Sequence, residues 1–427
     1  MTPLIWSNLT DEEQAATLAR PPARRSPELV AGVRAILEDV RAGGWQALVR
    51  IATRIDGRAP EAVAIAPLAA AARHSLTPAA IAAMELAADN IRNFHEASRP
   101  ADTKVETMPG LVVEKAWRPI DRVGIYVPGG VTPLFSSLLM QALPARAAGV
   151  NEIIVVTPPS QDGLDPAIAL AAELCGIDTV WTVGGAQAIA ALAFGAGDMP
   201  PCLKICGPGN AWVAEAKAQV SAMPGGAAID MPAGPSELMV IADMSASAAT
   251  VAADLLSQAE HDASAQVLLV TDDGDLAARV AHEIDRQLAD LPRADLARRS
   301  LAHGRAIVTR DLGEAARIAN AYAPEHLCLA LDDPEPLVAR INNAGAIFAG
   351  HSAAESFGDY LAGSSHVLPT DGAARAWSGI TVHSFMKAVS IQRVSPEAGR
   401  ALAAPAAALA RLESLEAHAR AAEARAA

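Results

Sequence analysis

The chain has 427 residues, of which 51% are hydrophobic, 19% charged and only 4% aromatic, and its formal net charge is -14. This length exceeds what one hydrophobic core usually organises, so we expect two or more lobes in an Ala-rich globular protein rather than a disordered one. The negative charge argues against nucleic acids and anionic membranes as partners, because both are bound through basic surfaces.

The cysteines and the first residues bear on the cellular compartment. Four cysteines are too sparse for a disulfide framework, so we expect reduced thiols and a cytoplasmic protein. The opening stretch, MTPLIWSNLTDEEQ, lacks the basic and apolar regions of a signal peptide or anchor. The longest uncharged run, 179–197, predicts a strand, a turn and a helix rather than a membrane span.

The first part of the chain is predicted to be helical. After an N-terminal arm, 1–25, the segment 26–121 opens with SPELVAGVRAILEDVRAGGWQALVRIATRI, whose apolar residues recur at spacings of three and four. Ser26 and Pro27 are placed as the cap and the first turn of that helix.

From residue 122 onward, short β-branched runs alternate with Ala-rich helical segments, and the pattern predicts two doubly wound, Rossmann-like α/β halves. The predicted strands include RVGIYV, EIIVVTPP, TVWTVGG, LKICGPG, ELMVIAD, QVLLVTD, RAIVTRD, HLCLAL and AGAIFAG. Continuous apolar runs separated by helices indicate parallel strands covered on both faces. The Pro- and Gly-rich stretch IDMPAGPSE divides the region into 122–234 and 235–385, and a helical tail is predicted over 386–427.

Three strands of the first half end in glycine-rich turns. These are YVPGG at 126–130, VGGAQA at 183–188 and GPGNAW at 207–212, and each can bring backbone N–H groups to a phosphate. None is the full dinucleotide fingerprint, because Trp212 stands where its third glycine belongs. Taken singly, each is better explained as a turn, but three on successive strands favour a bound nucleotide.

Polar residues crowd the end of a helix in LLSQAEHD, 255–262. Gln258 and His261 are three residues apart and share a helix face, so an amide oxygen and an imidazole can approach one ion together. The alternative is a helix end whose polar side chains meet solvent. In YAPEHL, Glu325 and His326 are two potential proton-transfer groups if they lie in the loop before a strand, and otherwise an ordinary hydrated pair.

Two further polar clusters follow. ESFGDYLAGSSH supplies Glu355, Asp359 and His366 in a loop after a core strand, where such loops generally lie over a site. LESLEAHARAA places Glu413 and His418 on the tail helix, which taken alone is best explained as a solvated face. Amide, imidazole and carboxylate donors together suit zinc or another divalent first-row ion, whereas the Cys202/Cys206 pair is better explained as buried thiols.

The sequence stretches that contain these clusters resemble the motifs of the histidinol dehydrogenase family. The stretch IDMPAGPSELMVIADMSASAATVAADLLSQAEHD, 229–262, closely resembles that family's signature. RVGIYVPGG, VGGAQAIAALAFG, GPGNAWVAEAK, APEHL, GDYLAGSSHVLPT and LESLEAH are similar to its other motifs, in the family's order. The resemblance covers nearly the whole chain, and implies that 26–121 packs with 235–385 as one discontinuous domain.

The resemblance implies a homodimer with shared active sites, one Zn²⁺ per subunit and NAD as cofactor. The implied zinc ligands are Gln258, His261, Asp359 and, from the partner subunit, His418. The implied acid/base pair is Glu325 and His326, and the implied NAD contacts are Tyr126, Gln187 and Asn210. The implied substrate contacts are Ser236, Gln258, His261, His326, Asp359, His366, Glu413 and His418.

The implied reaction is the four-electron oxidation of L-histidinol, through L-histidinal, to L-histidine, the last steps of histidine biosynthesis. The sequence departs from the usual family pattern at Ser365, Ala354, His383, Ser384 and Ala388. These departures leave open a related NAD-dependent dehydrogenase for another small primary alcohol, such as a sulfonated propanediol. A non-catalytic metal-binding dimer is the third hypothesis, and the intact Glu325–His326 pair argues against it.

Overall fold

The computed structural model describes residues 1–21, 26–129, 133–231 and 234–426. Its strands, in chain order, are β1 (Pro3–Ile5), β2 (Ala62–Ala64), β3 (Thr103–Met108), β4 (Leu111–Pro119), β5 (Arg122–Tyr126), β6 (Glu152–Thr157), β7 (Thr179–Thr182), β8 (Lys204–Cys206), β9 (Ala228–Ile229), β10 (Glu237–Ala242), β11 (Gln266–Thr271), β12 (Arg305–Val308), β13 (His326–Ala330), β14 (Ala346–Ala349) and β15 (Met386–Val394).

The helices alternate with these strands, as the sequence predicts. They are α1 (Asp11–Thr17), α2 (Pro27–Asp56), α3 (Ile65–Ser75), α4 (Pro78–Ala97), α5 (Phe135–Ala148), α6 (Pro166–Leu174), α7 (Gly185–Phe194), α8 (Ala211–Ala222), α9 (Ala248–Ala259), α10 (Gly274–Leu288), α11 (Ala294–Leu301), α12 (Leu312–Tyr322), α13 (Glu335–Val338), α14 (Glu355–Tyr360), α15 (Pro396–Leu412) and α16 (Glu416–Glu423). Across the described part of the chain, every helix falls short of the length or the apolar character that crossing a membrane requires.

Two six-stranded sheets, in the order β2-β7-β6-β5-β8-β9 and β1-β12-β11-β10-β13-β14, organise the described residues. Within each sheet, five strands that follow one another in the chain pair in parallel, with the first of them at the centre. This is the strand order of doubly wound folds, so the predicted fold class is confirmed. All residues of β10 and β11 are buried, which explains their continuous apolar runs.

The N-terminal helices pack mainly on the first sheet. α2 shares a hydrophobic core with α7 and α8, and α3 and α4 share another with α5 and α6. β2 extends the same sheet, whereas β1 pairs with β12 of the second. These contacts differ from the expected packing of 26–121 with 235–385, because the apolar faces of α2 and α3 are covered by helices of 122–234. The domain boundaries themselves stay a prediction.

A three-stranded antiparallel sheet, β15-β4-β3, precedes the tail. β15 pairs with β4 along its whole length, from Met386 opposite Pro119 to Val394 opposite Leu111. The predicted helical tail over 386–427 is therefore wrong for residues 386–394, where β-branched residues favour a strand and β4 offers a free edge. A pair of helices, α15 and α16, begins only at Pro396, after the cap Ser395.

His95, in α4, makes the stability of the fold depend on pH. Its side chain is 0% exposed, and neither ring nitrogen has a hydrogen-bond partner among the described residues. Burial lowers the pKa of His95 from 6.5 to about 4. Below about pH 6.5, His95 is protonated in the unfolded chain but stays neutral in the folded protein. The free energy of unfolding therefore falls as the pH falls.

Replacing His95 by Leu should remove this pH dependence. Between pH 7 and pH 5 the wild type should lose about 2 kcal/mol more of its unfolding free energy than His95→Leu does. Urea denaturation of both proteins at the two pH values measures these losses of unfolding free energy. The contributions of the other titrating groups are the same in both proteins and cancel in the difference. Equal losses in the two proteins would show that His95 is not responsible.

Candidate active site and metal centre

Glu325 and His326 lie side by side at the start of β13, and both are almost completely buried. Ala323, just after α12, takes a left-handed conformation with a φ of 56° and turns the chain through Pro324 into the strand. The Glu325 carboxylate accepts a hydrogen bond from the Glu237 N–H at 2.8 Å. His326 Nδ1 lies 3.2 Å from the Glu237 carbonyl oxygen and 3.6 Å from Glu325 Oε2, so both side chains face one site.

The contact at Nδ1 determines which nitrogen of His326 is basic. The Glu237 carbonyl can only accept a hydrogen bond, so Nδ1 carries the proton and Nε2 keeps its lone pair. Nε2 is buried and has no hydrogen-bond partner in the described ranges. Burial lowers the pKa of His326 from 6.5 to about 3, so the ring is neutral at neutral pH. A neutral imidazole with a free Nε2 can accept a proton from a bound substrate.

Carboxylates surround this imidazole. α14 places Glu355 and Asp359 four residues apart on one helix face. Glu355 Oε1 lies 3.6 Å from His326 Nδ1, and Asp359 Oδ1 lies 3.7 Å from Nε2. One donor atom from each of the three side chains lies within 4.8 Å of the others. Burial raises the pKa of Glu325 and Glu355 well above 4.5 and that of Asp359 to about 6. A cation bound here would stabilise the ionised form of these carboxylates.

Gln258 lies in the last turn of α9, and His261 follows just after the helix, where the charge of Asp359 acts on it. Gln258 is 0% exposed, yet neither its amide oxygen nor its amide nitrogen has a partner among the residues that the structure describes. Leaving a buried amide unpaired is costly, so this side chain fits a ligand. Partial desolvation by neighbouring protein atoms lowers the pKa of the His261 imidazole, and the Asp359 carboxylate opposes that shift. His261 remains exposed at the surface. This mixed set of nitrogen and oxygen donors suits zinc.

The whole cluster lies at the amino-terminal edge of the second sheet. β10 and β13 begin at this edge, and α9, which runs opposite to the strands, ends there. Ligands of doubly wound sheets commonly bind at the other, carboxyl-terminal edge. The rule that singles out glycine-rich strand ends therefore does not locate this site, whereas the polar end of α9 does.

His366 and Ser236 border the same cluster. His366 Nδ1 lies 2.9 Å from the Asp359 carbonyl oxygen, and its Nε2 lies 3.1 Å from the Ser137 hydroxyl, so protein groups engage both ring nitrogens. Ser236 directly precedes Glu237, whose backbone holds the acid/base pair. The structure thus places both residues beside the cluster, and their roles as substrate contacts remain predictions.

The three predicted nucleotide contacts lie at the carboxyl-terminal edge of the first sheet. The Tyr126 hydroxyl, at the end of β5, accepts a hydrogen bond from the Gly185 N–H at 3.4 Å. Gln187, in the first turn of α7, donates to Asp56 Oδ2 at 3.0 Å. Asn210 caps α8 through its side-chain oxygen. The strand order reverses between β5 and β8, which makes this edge the usual ligand crevice of the fold.

The glycine-rich turns are tightly packed around this crevice. Gly207 has a φ of 127°, and a Cβ at that position would collide with the Tyr126 carbonyl oxygen. GPGNAW can therefore cross the end of β5 only with glycine there. Gly130 of YVPGG, like Pro232 and Ala233 of the predicted divider, lies outside the described residues.

Three residues that shape these sites were assigned no role from the sequence. Glu355 lies in a polar cluster that the sequence shows, and its spacing of four from Asp359 could have paired the two carboxylates. Glu237 acts on the acid/base pair through its backbone, which no side-chain pattern reveals. Asp56 ends α2, far along the chain from the Gln187 amide that it accepts from.

Glu413 and His418 are exposed in the tail and do not join the cluster within one chain. α15 and α16 pack against each other, and β15 fixes them to β4. Leu409 and Leu412, beside Glu413, are 65% and 82% exposed. The fourth predicted zinc ligand therefore stands on a tail with an uncovered apolar surface.

The departures from the family pattern make structural contacts. The Ser365 hydroxyl is buried, accepts from the Val367 N–H at 3.1 Å and donates to the Met140 carbonyl oxygen at 3.4 Å. His383 meets the Trp117 ring edge to face. Ser384 accepts from the Thr381 N–H and Ala388 pairs with Trp117 in the antiparallel sheet, while Ala354 precedes α14 without a side-chain cap.

Comparisons with known proteins agree with this architecture. The model of the histidinol dehydrogenase family matches residues 19–426. The histidinol dehydrogenase of Xanthomonas campestris pv. campestris is 48% identical over 423 residues, which cover 99% of this chain and 98% of that protein. That of Xylella fastidiosa is 49% identical over 419 residues, 97% of each chain. The crystal structure of histidinol dehydrogenase from Elizabethkingia anophelis has a TM-score of 0.95 and 37% identity, covering 100% of this chain and 98% of that one.

Proposed function

The chain belongs to the histidinol dehydrogenase family of oxidoreductases, and on that premise we propose that it oxidises L-histidinol through L-histidinal to L-histidine. The proposed reaction removes four electrons, consumes two NAD⁺ and depends on one Zn²⁺ per subunit. The observation that carries the proposal is the neutral, buried imidazole of His326, which lies beside Glu325 and keeps a free Nε2 among donors that suit a metal ion.

The acid/base pair divides the chemistry between its two members. NAD⁺ supplies the hydride acceptor and zinc a template that orients the imidazole and amine of the substrate. His326 Nε2 takes the proton of the alcohol as the carbinol carbon loses hydride. Glu325 then takes a proton from a water molecule as its oxygen adds to the aldehyde carbon. The resulting hydrate anion loses a second hydride to give the carboxylic acid, which releases its proton to become the carboxylate. Burial of the pair keeps the reactive aldehyde away from bulk water.

Gln258, His261 and Asp359 would hold the zinc, together with His418 of the partner subunit. The unpaired, buried Gln258 amide and the raised pKa of Asp359 support this set. His326, Glu355 and Asp359 also lie close enough to share one ion. We favour the first set, because a metal on His326 Nε2 would occupy the lone pair that the alcohol proton needs.

The carboxyl-terminal edge of the first sheet would bind NAD. Tyr126 and Gln187 are buried there and Asn210 is exposed, at the strand-order reversal where this fold binds nucleotides. The acid/base pair lies at the amino-terminal edge of the second sheet. The proposed reaction therefore uses one edge of each sheet, the first for NAD and the second for the acid/base pair. The buried, free cysteines support a reducing compartment, and we assign the enzyme to the cytoplasm.

The exposed tail supports a homodimer in which each subunit completes the other's site. One chain offers three of the four proposed ligands at its own cluster and carries the fourth on an exposed helix. Leu409 and Leu412, at the end of the neighbouring helix α15, give the tail an apolar surface that a partner can cover. In the proposed dimer, Glu413 of the partner subunit also contacts the substrate.

Combining two inactive variants tests the shared site. Glu325→Gln and His418→Ala should each be nearly inactive as homodimers. In a heterodimer purified through two different tags, one site carries both defects and the other carries neither, so about half of the wild-type activity per dimer should return. Heterodimers as inactive as the parent variants would show that His418 serves the site of its own chain.

A panel of alcohols tests the substrate. L-Histidinol should form NADH faster, at equal concentration, than sulfonated or hydroxylated three-carbon alcohols, because Glu413 and the zinc site would recognise imidazole and amine. Faster turnover of a sulfonated alcohol would favour the related dehydrogenase instead. Failure to bind NAD⁺ by calorimetry would favour a non-catalytic metal-binding dimer.

A further inference from the structure

Arg20, in the N-terminal arm, forms a partly buried ion pair with Glu237. Its Nε and Nη2 donate to the two carboxylate oxygens of Glu237, the second bond at 2.9 Å. The Glu237 side chain is 3% exposed and that of Arg20 is 16% exposed. A planar guanidinium bound in this bidentate way fixes the orientation as well as the distance of its partner.

The same guanidinium also holds the end of α12. Arg20 Nη2 donates to the Tyr322 carbonyl oxygen at 2.8 Å, and the guanidinium lies 3.9 Å above the centre of the Tyr322 ring. Carbonyl groups at the last turn of a helix lack helical partners, so a cationic donor there satisfies one of them. The next residue, Ala323, makes the left-handed turn that leads into Glu325 and His326.

Arg20 therefore joins the two backbone segments that carry the acid/base pair. One is the start of β10, where the Glu237 N–H binds the Glu325 carboxylate and the Glu237 carbonyl faces His326 Nδ1. The other is the turn from which Glu325 and His326 emerge. The Asp371 N–H also donates to Glu237 Oε1 at 2.8 Å, which ties in the loop that follows His366.

The arm that carries Arg20 is itself anchored. The Gln266 amide donates to the Ala19 carbonyl oxygen at 3.1 Å and accepts from the Tyr322 hydroxyl at 2.8 Å. β1, at the start of the arm, pairs in parallel with β12. The guanidinium is thus held from both sides and can resist movement of Glu237.

We propose that Arg20 is a positioning residue, which sets the geometry in which the Glu237 backbone holds Glu325 and His326. The proposal rests on the proposed function, because those two residues are the acid/base pair of that reaction. Arg20 acts through Glu237 and the α12 turn and needs no contact with the substrate. A displacement of about 1 Å at reacting groups can cost on the order of 100-fold in rate.

Kinetics of Arg20 variants test the proposal. Arg20→Ala should lower kcat for L-histidinol by roughly 100-fold with little change in KM, and Arg20→Lys by about tenfold, because lysine keeps the charge but loses the fork. Millimolar guanidinium should restore part of the Arg20→Ala rate. Arg122→Ala is the matched control, since Arg122 pairs with Glu152 and donates to the Pro201 carbonyl oxygen. It should keep kcat within about twofold.

Hydrogen exchange measures the positioning without any substrate. In Arg20→Ala, the backbone amides of residues 236–238, 323 and 325–327 should exchange faster than in the wild type and in Arg122→Ala. If the wild type fails to oxidise L-histidinol, the proposed function fails while the exchange still decides the role of Arg20. Unchanged exchange, or a folded Arg20→Ala with the wild-type kcat, would overturn the inference. If Arg20→Ala does not fold, Arg20→Lys is held to the same two criteria.

Discussion

Glu325→Gln and His326→Asn should each abolish most of the oxidation of L-histidinol, but at different steps. His326 is the proposed base for the alcohol proton, so His326→Asn should slow oxidation of the alcohol by roughly 10²- to 10⁴-fold. Glu325 is the proposed base for water, so Glu325→Gln should slow oxidation of supplied L-histidinal by a similar factor. Initial rates of NADH formation from each substrate separate the two steps.

The neutral state of His326 explains why this division is chemically reasonable. Burial lowers the pKa of His326 to about 3, and the Glu237 carbonyl keeps the proton on Nδ1, so Nε2 is ready to accept. Glu314→Gln is a suitable control, because Glu314 is buried but pairs with Arg310 at the start of α12. It should leave both rates unchanged. A double Glu325→Gln, His326→Asn variant that still forms NADH from L-histidinol would refute the assignment.

Removing the metal should have an effect of comparable size. Chelation should stop NADH formation, and added zinc should restore it. His261→Ala should weaken zinc binding by more than the 10- to 100-fold that is typical for loss of an outer-shell partner. Zinc content after dialysis against a chelator, measured by atomic absorption, reports the metal independently of activity.

Glu355→Gln distinguishes the two metal sites that the geometry permits. Glu355 is close enough to share an ion with His326 and Asp359, yet it is outside the proposed ligand set. Its variant should therefore keep zinc under conditions in which His261→Ala loses it. The reverse result, with zinc lost from Glu355→Gln and kept by His261→Ala, would move the metal to His326, Glu355 and Asp359.

The strands of both halves could be predicted because continuous runs of apolar residues indicate strands that are buried on both faces. ELMVIAD and QVLLVTD contain the uninterrupted apolar runs LMVIA and VLLV, and both become fully buried strands at the centre of the second sheet. β15 was missed because most of its residues are exposed and its partner, β4, lies far away along the chain. The apolar face of α2 predicts that the helix is packed, but not that α7 and α8 cover it.

The parts of the candidate site that are formed by side chains could be predicted from the sequence. The parts that are formed by backbone groups could not. The spacing of Gln258 and His261 marks a shared helix face, and the structure adds that the Gln258 amide is buried and unpaired. Glu237 holds the acid/base pair through its N–H and carbonyl, so its side chain gives no sign of the role. Arg20 is 217 positions from Glu237, and only the folded chain brings them together.

The number of NADH molecules formed per molecule of L-histidinol tests the proposed four-electron oxidation most directly. The experiment uses limiting L-histidinol, excess NAD⁺ and zinc-loaded enzyme, and measures NADH by absorbance and L-histidine by chromatography. We expect two NADH and one L-histidine for each L-histidinol, with no aldehyde released. One NADH per L-histidinol with free L-histidinal, or no NADH at all, would contradict this expectation.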